Sequence, residues 1–192
     1  MRIGLLGGSF DPVHLGHVGV AHAVADALGL ERVYLVPAAQ APLRTDPVRA
    51  DAAHRLTMLR LATAGDTRLA VSEIELQRGG VSYTVETLRM LRALHPGDEL
   101  LWILGTDQLA RLGQWAEPEA LASLAEFVCY GRPGSAKTKV PDIPGLRVSR
   151  VEGPEWHISS TEIRARCLRG ETLTGHVADK VIEYIRENGL YR

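Results

Sequence analysis

Short apolar runs alternate with helix-patterned stretches along nearly all of the 192 residues, and this alternation limits the possible fold more than any other feature. Arg2–Leu6, Arg32–Pro37, Arg68–Leu76, Glu99–Leu104, Phe127–Tyr130 and Leu146–Val151 read as strands. Leu15–Leu28, stopped by Gly29, and Ala50–Ala64, stopped by Gly65, read as helices, as do Thr84–Leu94, Glu162–Arg169 and Val177–Asn188. Such a pattern predicts an α/β fold: one parallel sheet with helices on both faces, in a single domain over residues 1–192. Crossovers between parallel strands are right-handed, and ligands then bind beyond the carboxyl ends of the strands. Gly7, Pro37 and Gly105 each follow a strand, so they meet on that edge. Residues 132–144, rich in Gly, Ser, Lys and Pro, read as a surface loop.

The chain is long enough to bury a real core, and its 45% hydrophobic and 23% charged content is that of an ordinary globular domain. A formal net charge of −1 gives no global electrostatic case for nucleic acid or an anionic membrane as partner. Lysine occurs only at Lys137, Lys139 and Lys180, so a phosphate site elsewhere must use Arg, His or backbone amides. Cys129 and Cys167 are far apart and lack CxxC spacing, which predicts reduced thiols in a cytoplasmic protein. Met1–Leu6 is too short for a signal peptide, and no apolar run approaches the ~18 residues of a membrane span.

The first strand runs into Gly7-Gly8-Ser9-Phe10-Asp11-Pro12-Val13-His14-Leu15-Gly16-His17. Two glycines after a strand let backbone approach a ligand closely, and the next helix offers its unpaired N–H groups to an anion. His14 and His17 stand at i and i+3, on one face of the first turn. Two imidazoles facing a phosphate can stabilise charge that grows on its oxygens. The spacing is neither the GxGxxG of a dinucleotide-binding dehydrogenase nor the GK[ST] of a P-loop. A metal site of Asp11, His14 and His17 is the weaker reading, because no further ligand cluster is evident. Near the other end, Ser159 and Glu162 have capping-box spacing, with Arg164 one turn in, and form a second candidate anion site.

Together, GGSFDPVHLGH and ISSTEIR resemble the HxGH and [ST]xxxR signatures of the nucleotidyltransferase superfamily, and within it the bacterial nicotinate-nucleotide adenylyltransferases. The likeness extends through His54-Arg55 and Met58, Ser72 and Glu75, residues 78–84, Gly105-Thr106-Asp107, Leu112 with Trp115, Arg132-Pro133-Gly134, and the terminal Tyr184-Ile185 and Leu190-Tyr191. It implies a Rossmann-like sheet of the nucleotidyltransferase type. It further implies transfer of an adenylyl group from ATP to nicotinate mononucleotide, with pyrophosphate leaving and no covalent enzyme intermediate. Positioning and charge stabilisation would then carry catalysis.

By that resemblance, His14, His17 and Arg164 are catalytic. Gly8, Ser9, Phe10, His17, Gly105, Asp107, Ser159, Ser160, Thr161 and Arg164 bind ATP, and Mg²⁺ comes with the nucleotide, held mainly by phosphate and water. Arg44, Tyr83, Thr84 and Trp115 bind the mononucleotide. Thr84 reads as the N-cap of the helix that follows it, and free amides around Tyr83 and Thr84 would receive the nicotinate carboxylate. An uncharged carboxamide would gain less there. On its own pattern Trp115 reads as core, as does Trp102, and Asp107 suits a helix N-cap as well as a ribose contact. His22, His95, His157 and His176 read as structural or solvated.

One segment departs from the family. Its usual Pro-Pro-His-Lys-like stretch is here Ala41-Pro42-Leu43-Arg44, so Arg44 keeps the charge with different geometry and reach. A pantetheine-phosphate adenylyltransferase or a cytidylyltransferase shares both signatures, but residues 82–84 and the GTD…W pattern argue against them. A catalytically inactive nucleotide sensor or assembly protein on the same fold is the alternative outside the enzymes; intact His14, His17 and Arg164 argue against it. The sequence leaves room for a homo-oligomer.

Overall fold

A computed structural model describes residues 1–42, 47–131 and 138–192. Six parallel strands form one sheet in the order β3-β2-β1-β4-β5-β6. They are β1 (Arg2–Gly8), β2 (Arg32–Pro37), β3 (Leu69–Val71), β4 (Glu99–Gly105), β5 (Glu126–Gly131) and β6 (Val148–Glu152). The helices are α1 (Leu15–Leu28), α2 (Ala52–Ala62), α3 (Ile74–Arg78), α4 (Thr84–Leu94), α5 (Thr106–Ala110), α6 (Pro118–Leu124), α7 (Ser160–Arg169) and α8 (Asp179–Glu187). A 3₁₀ turn, Leu112–Gln114, joins α5 to α6. This is the doubly wound order, and strand order reverses between β1 and β4.

The two faces bury separate cores. On one, Val24, Val33, Met58, Leu59, Ile163 and Val181 pack from α1, β2, α2, α7 and α8. On the other, Leu5, Val36, Leu88, Leu91, Trp102 and Phe127 pack from the strands and α4. Successive residues of a strand point to opposite faces, so Ile3 and Leu5 enter one core and Leu6 the other. Glycines continue that alternation at the strand's end. A Cβ on Gly7 would stand 2.6 Å from Cζ2 of Trp102, and one on Gly8 would stand 3.1 Å from the Phe10 ring. Each missing side chain is thus filled by an aromatic ring, one on each face.

Two expectations fail here. The third strand does not reach Leu76: β3 ends at Val71, and Ile74–Arg78 is helical. Ser72 N–H adds one ladder bond to the Leu35 carbonyl at 3.0 Å, and the chain then turns to bury Ile74 and Glu75, which a flat edge strand would leave half-exposed. The helical passage Thr106–Leu124 has no counterpart in the sequence pattern, because its pieces are too short for a clear period.

Gly7→Ala is expected to displace the Trp102 ring, destabilising the protein by about 1–3 kcal/mol. Urea denaturation read by tryptophan fluorescence measures both effects; an unchanged midpoint and spectrum would remove Gly7 from this packing role.

Candidate active site

The carboxyl end of β1 leads into a turn held from beneath by buried polar groups. Asp11 has no exposed surface; Oδ2 accepts from Arg49 N–H at 2.8 Å and Oδ1 from Ala50 N–H at 3.0 Å and Tyr191 Oη–H at 2.9 Å. Burial, then the Asp11 charge, pushes the Tyr191 phenol up, so it remains a donor. The Arg55 guanidinium, 1% exposed, donates through one nitrogen to the carbonyls of Ser9 at 2.8 Å and Ala38 at 2.9 Å. It joins the end of β1 to the end of β2. These bonds engage both oxygens of the Asp11 carboxylate with N–H and O–H donors.

His14 is the N-cap of α1 in extended conformation, and its ring stacks on His17 with centroids 3.6 Å apart and planes 25° apart. The Phe10 ring meets His17 edge-on at 4.9 Å. Gly16 makes the stack possible, since a Cβ there would stand 3.0 Å from His14 Nδ1. His17 Nδ1 accepts the His14 backbone N–H at 3.2 Å, which puts the proton of a neutral His17 on Nε2, available to a ligand. Burial lowers the His14 pKa to about 4. His17 lies well below its ordinary value, through burial first and repulsion from His14 second. Both rings are therefore neutral near pH 7.

The start of α7 docks on the same turn. Ser160 Oγ–H donates to the Pro12 carbonyl at 2.9 Å, and Arg164 donates to the Asp11 carbonyl at 2.8 Å and to Thr161 Oγ1 at 3.2 Å. Ser159 Oγ accepts Glu162 N–H at 3.2 Å, the predicted cap. The side chains of Ser159 and Ser160 are thus engaged in placing the helix; what α7 offers an anion is its leading amides and Arg164.

Two clefts open along the strand ends, and both touch Gly7, Gly8 and Gln108. The wider one, about 1110 Å³, is lined by His14, His17, Gly105, Asp107, Tyr130 and Trp156 among others. The narrower, about 340 Å³, has Ser9, Tyr83, Thr84, Trp102, Trp115 and Glu75 in its walls. Trp115 is half-buried in that wall, and Trp102, only 4% exposed, forms part of the same surface. Neither tryptophan is only core.

Several expected details need correction. Tyr83, not Thr84, is the N-cap of α4, and Tyr83 N–H is already bonded to the Val81 carbonyl at 3.1 Å. The amides that lead α4, lacking carbonyls one turn back, are those of Thr84 and Val85. Gly105 is the N-cap of α5 and its N–H donates to Gln108 Oε1 at 3.2 Å, so Asp107 is an exposed residue of the first turn rather than a cap. Phe10 is 2% exposed, with its ring against Gly8 and His17 rather than in either cleft lining. Arg44 and Arg132–Gly134 lie outside the described residues. His22 and His95 pair with Asp66 at 2.9 Å and Asp98 at 3.2 Å, and His157 is exposed. The His176 carbonyl accepts the first amide of α1, from Leu15, at 2.9 Å.

Glu75, Gln108, Arg55 and Trp156 went unassigned. Arg55 had a readable signal: with Met58 and Leu59 it forms the i, i+3, i+4 set that α2 buries. Gln108 and Trp156 had none, as their roles depend on short or irregular segments.

A cleft on each side of the β1 turn, with stacked histidines and the start of α7 docked beside it, is an arrangement suited to nucleotidyl transfer. The cytidylyltransferase-like family model matches residues 5–166, which places the chain in that class. A relative from Opitutus terrae described as a probable nicotinate-nucleotide adenylyltransferase is 47% identical over 192 residues, covering 100% of this chain and 98% of its own. One of the same description from Thermus thermophilus is 44% identical, with both chains covered completely. The chain belongs to the nicotinate-nucleotide adenylyltransferase family. The fold is shared with a Plasmodium falciparum nicotinic acid mononucleotide adenylyltransferase solved with NaAD, at TM-score 0.78 and 21% identity, over 99% of this chain and 97% of that one. Among the described residues no helix is long and apolar enough to cross a membrane.

Asp11→Ala is expected to cost about 3–5 kcal/mol, because the Arg49, Ala50 and Tyr191 donors lose their acceptor and Arg164 loses the carboxylate 4.0 Å away; a urea titration would refute this with a loss under about 1 kcal/mol. The histidine stack predicts acid sensitivity. An unfolded histidine takes up a proton near pH 6.5, and folded His14 only near pH 4. Stability is therefore full above about pH 6.5 and declines as pH falls toward 4. His14→Gln should flatten that decline; parallel curves for the two proteins would contradict the assignment.

Proposed function

We propose that this enzyme joins ATP to nicotinate mononucleotide, giving nicotinate adenine dinucleotide and pyrophosphate. The observation that carries the reading is the border the two clefts share at Gly7 and Gly8. A reaction that links two nucleotides needs two sites whose phosphate ends touch, and this border is bare backbone. ATP occupies the wider cleft, with its ribose near Asp107, and the mononucleotide the narrower. There Trp115 faces the pyridine ring, and the Thr84 and Val85 amides take the carboxylate. Arg44 is proposed as a further contact to the mononucleotide phosphate.

The mononucleotide phosphate oxygen attacks the α-phosphorus in line. A bond forms between that oxygen and phosphorus, and the bond from phosphorus to the bridging oxygen breaks. Pyrophosphate leaves with the electron pair. His17 Nε2–H and the His14 ring stabilise the charge on the five-coordinate phosphorus. The leading amides of α7, those of Ser160 and Thr161, with Arg164, receive the departing β- and γ-phosphates. No side chain becomes covalently linked to substrate.

Mg²⁺ is proposed to arrive with ATP, neutralising phosphate charge when bound. Among the described residues no three His, Cys, Asp or Glu side chains converge on one point. The donor set near the turn, imidazoles and hydroxyls, suits an ion carried on phosphate oxygens and water rather than one held in a protein cage. Reading the shared border as a binding-only site would make the protein a nucleotide sensor, and one assay separates the two. Pyrophosphate release from ATP is measured with nicotinate mononucleotide, nicotinamide mononucleotide and pantetheine phosphate side by side. Release should be fastest with the nicotinate form. Release with none would favour the sensor, and preference for pantetheine phosphate would reassign the narrow cleft.

A further inference from the structure

Glu75 stands in the wall of the narrow cleft, 3% exposed, and Trp102, Trp115 and Ala38 belong to the same wall. A carboxylate so placed is costly unless donors surround it. Burial pushes its pKa up, opposed by hydrogen bonds from Thr87 and Ser82 and by the Arg78 charge. In the proposed function this cleft accepts a substrate that is itself a carboxylate. A second buried acid beside it calls for a reason, and none of the bonds of the transfer reaction involves it.

Its partners supply that reason. Glu75 Oε1 accepts Thr87 Oγ1–H at 2.6 Å, in the range of a charge-assisted bond. The Thr87 hydroxyl has one proton, so its 3.3 Å approach to the Tyr83 carbonyl is the lesser contact, while Arg78 donates to Thr87 Oγ1 at 3.3 Å. The Ser82 hydroxyl helps to hold the Glu75 pKa down, and its Oγ accepts Ala39 N–H at 2.9 Å. Ser82 N–H donates to the Gln40 carbonyl at 2.8 Å, beside the bridge between Gln40 and Val81. Ser82 immediately precedes the N-cap Tyr83, and Thr87 lies one turn into α4. The carboxylate therefore holds α4 directly through Thr87, and acts on Ser82 just ahead of the N-cap, which is itself tied to the segment after β2.

We propose that Glu75 is the positioning residue of the pyridine subsite: through Ser82 and Thr87 it aims Tyr83 and the leading amides of α4 into the cleft, and so sets affinity for the mononucleotide rather than for ATP. The inference rests on the proposed reading of the narrow cleft. The role belongs to the oxygen acceptor more than to the charge. The substitution Glu75→Gln would retain one oxygen for Thr87 and would remove the like charge facing a substrate carboxylate.

The test is steady-state kinetics on Glu75→Ala, Glu75→Gln and Thr87→Val, varying each substrate in turn, with melting curves alongside. Wild-type turnover with nicotinate mononucleotide is measured first; its absence would defeat the reading of the cleft. Given that turnover, Glu75→Ala should raise KM for the mononucleotide about tenfold or more, with KM for ATP within about twofold. Glu75→Gln should restore most of the loss, and Thr87→Val should shift the same KM in the same direction by a smaller factor. If Glu75→Ala does not fold, Thr87→Val and Glu75→Gln carry the comparison. Equal changes in both KM values, a lowered melting temperature with neither KM changed, or a Glu75→Gln variant no better than Glu75→Ala or worse than Thr87→Val would overturn the proposal.

Discussion

A carboxylate taken wholly out of water must be answered by donors, and Asp11 is answered by parts of the chain that have no other reason to meet. Arg49 and Ala50 come from the segment before α2, and Tyr191 comes from beyond α8. Arg164 of α7 stands 4.0 Å from Oδ2 and bonds the same residue's carbonyl. Remove the carboxylate and the first two of these segments lose their anchor on the β1 turn, while α7 keeps its bonds to the Asp11 and Pro12 carbonyls. The Arg55 guanidinium plays the complementary part with carbonyls of Ser9 and Ala38. An acid and a base, both buried, secure the underside of the turn and leave its outer surface to a ligand.

The period of two along β1 explains why that outer surface opens on two clefts. Gly7 and Gly8 point to opposite faces, where Trp102 and Phe10 respectively fill the space of their absent side chains. The narrow cleft grows from the Trp102 side, under α4. The wide one grows over α1, whose histidines are supported by Phe10 from below. A side chain on either glycine would collide with the ring that shapes its own cleft. The parallel sheet, whose strand order reverses beside β1, separates the two clefts and lets them meet at the glycines.

Much of this was legible in the sequence, for identifiable reasons. The strands β1, β2, β4 and β5 are apolar runs bounded by glycine or proline, and buried parallel strands have that pattern. The GGSFDPVHLGH turn and the Ser159 cap are local features, so spacing alone located them. What escaped depended on distance or on brevity. The strand reading of Arg68–Leu76 runs too far: Leu69 and Val71 alternate as a strand does, but Ile74 and Leu76 fall out of that phase, where the helix begins. Trp115 looked like core because burial and cleft-lining draw on the same residue type. Whether the Tyr83 amide is free turns on one bond to Val81, which no propensity reports. Glu75 was noticed only as part of a resemblance; its clamp on α4 needs Ser82 and Thr87 brought to it by tertiary structure.

Synthesis order gives the Tyr191–Asp11 bond one more meaning. The β1 turn is translated first, yet its partners on α7 and beyond α8 lie 153 and 180 positions further along. A growing chain can pair β1 with β2 early, but Asp11 must stay hydrated, and the turn unset, until the last helices emerge. Contacts of such separation close late and slow the final step of folding. A chain that stops short of α7 and Tyr191 therefore holds its histidines on a turn secured only by the segment around α2.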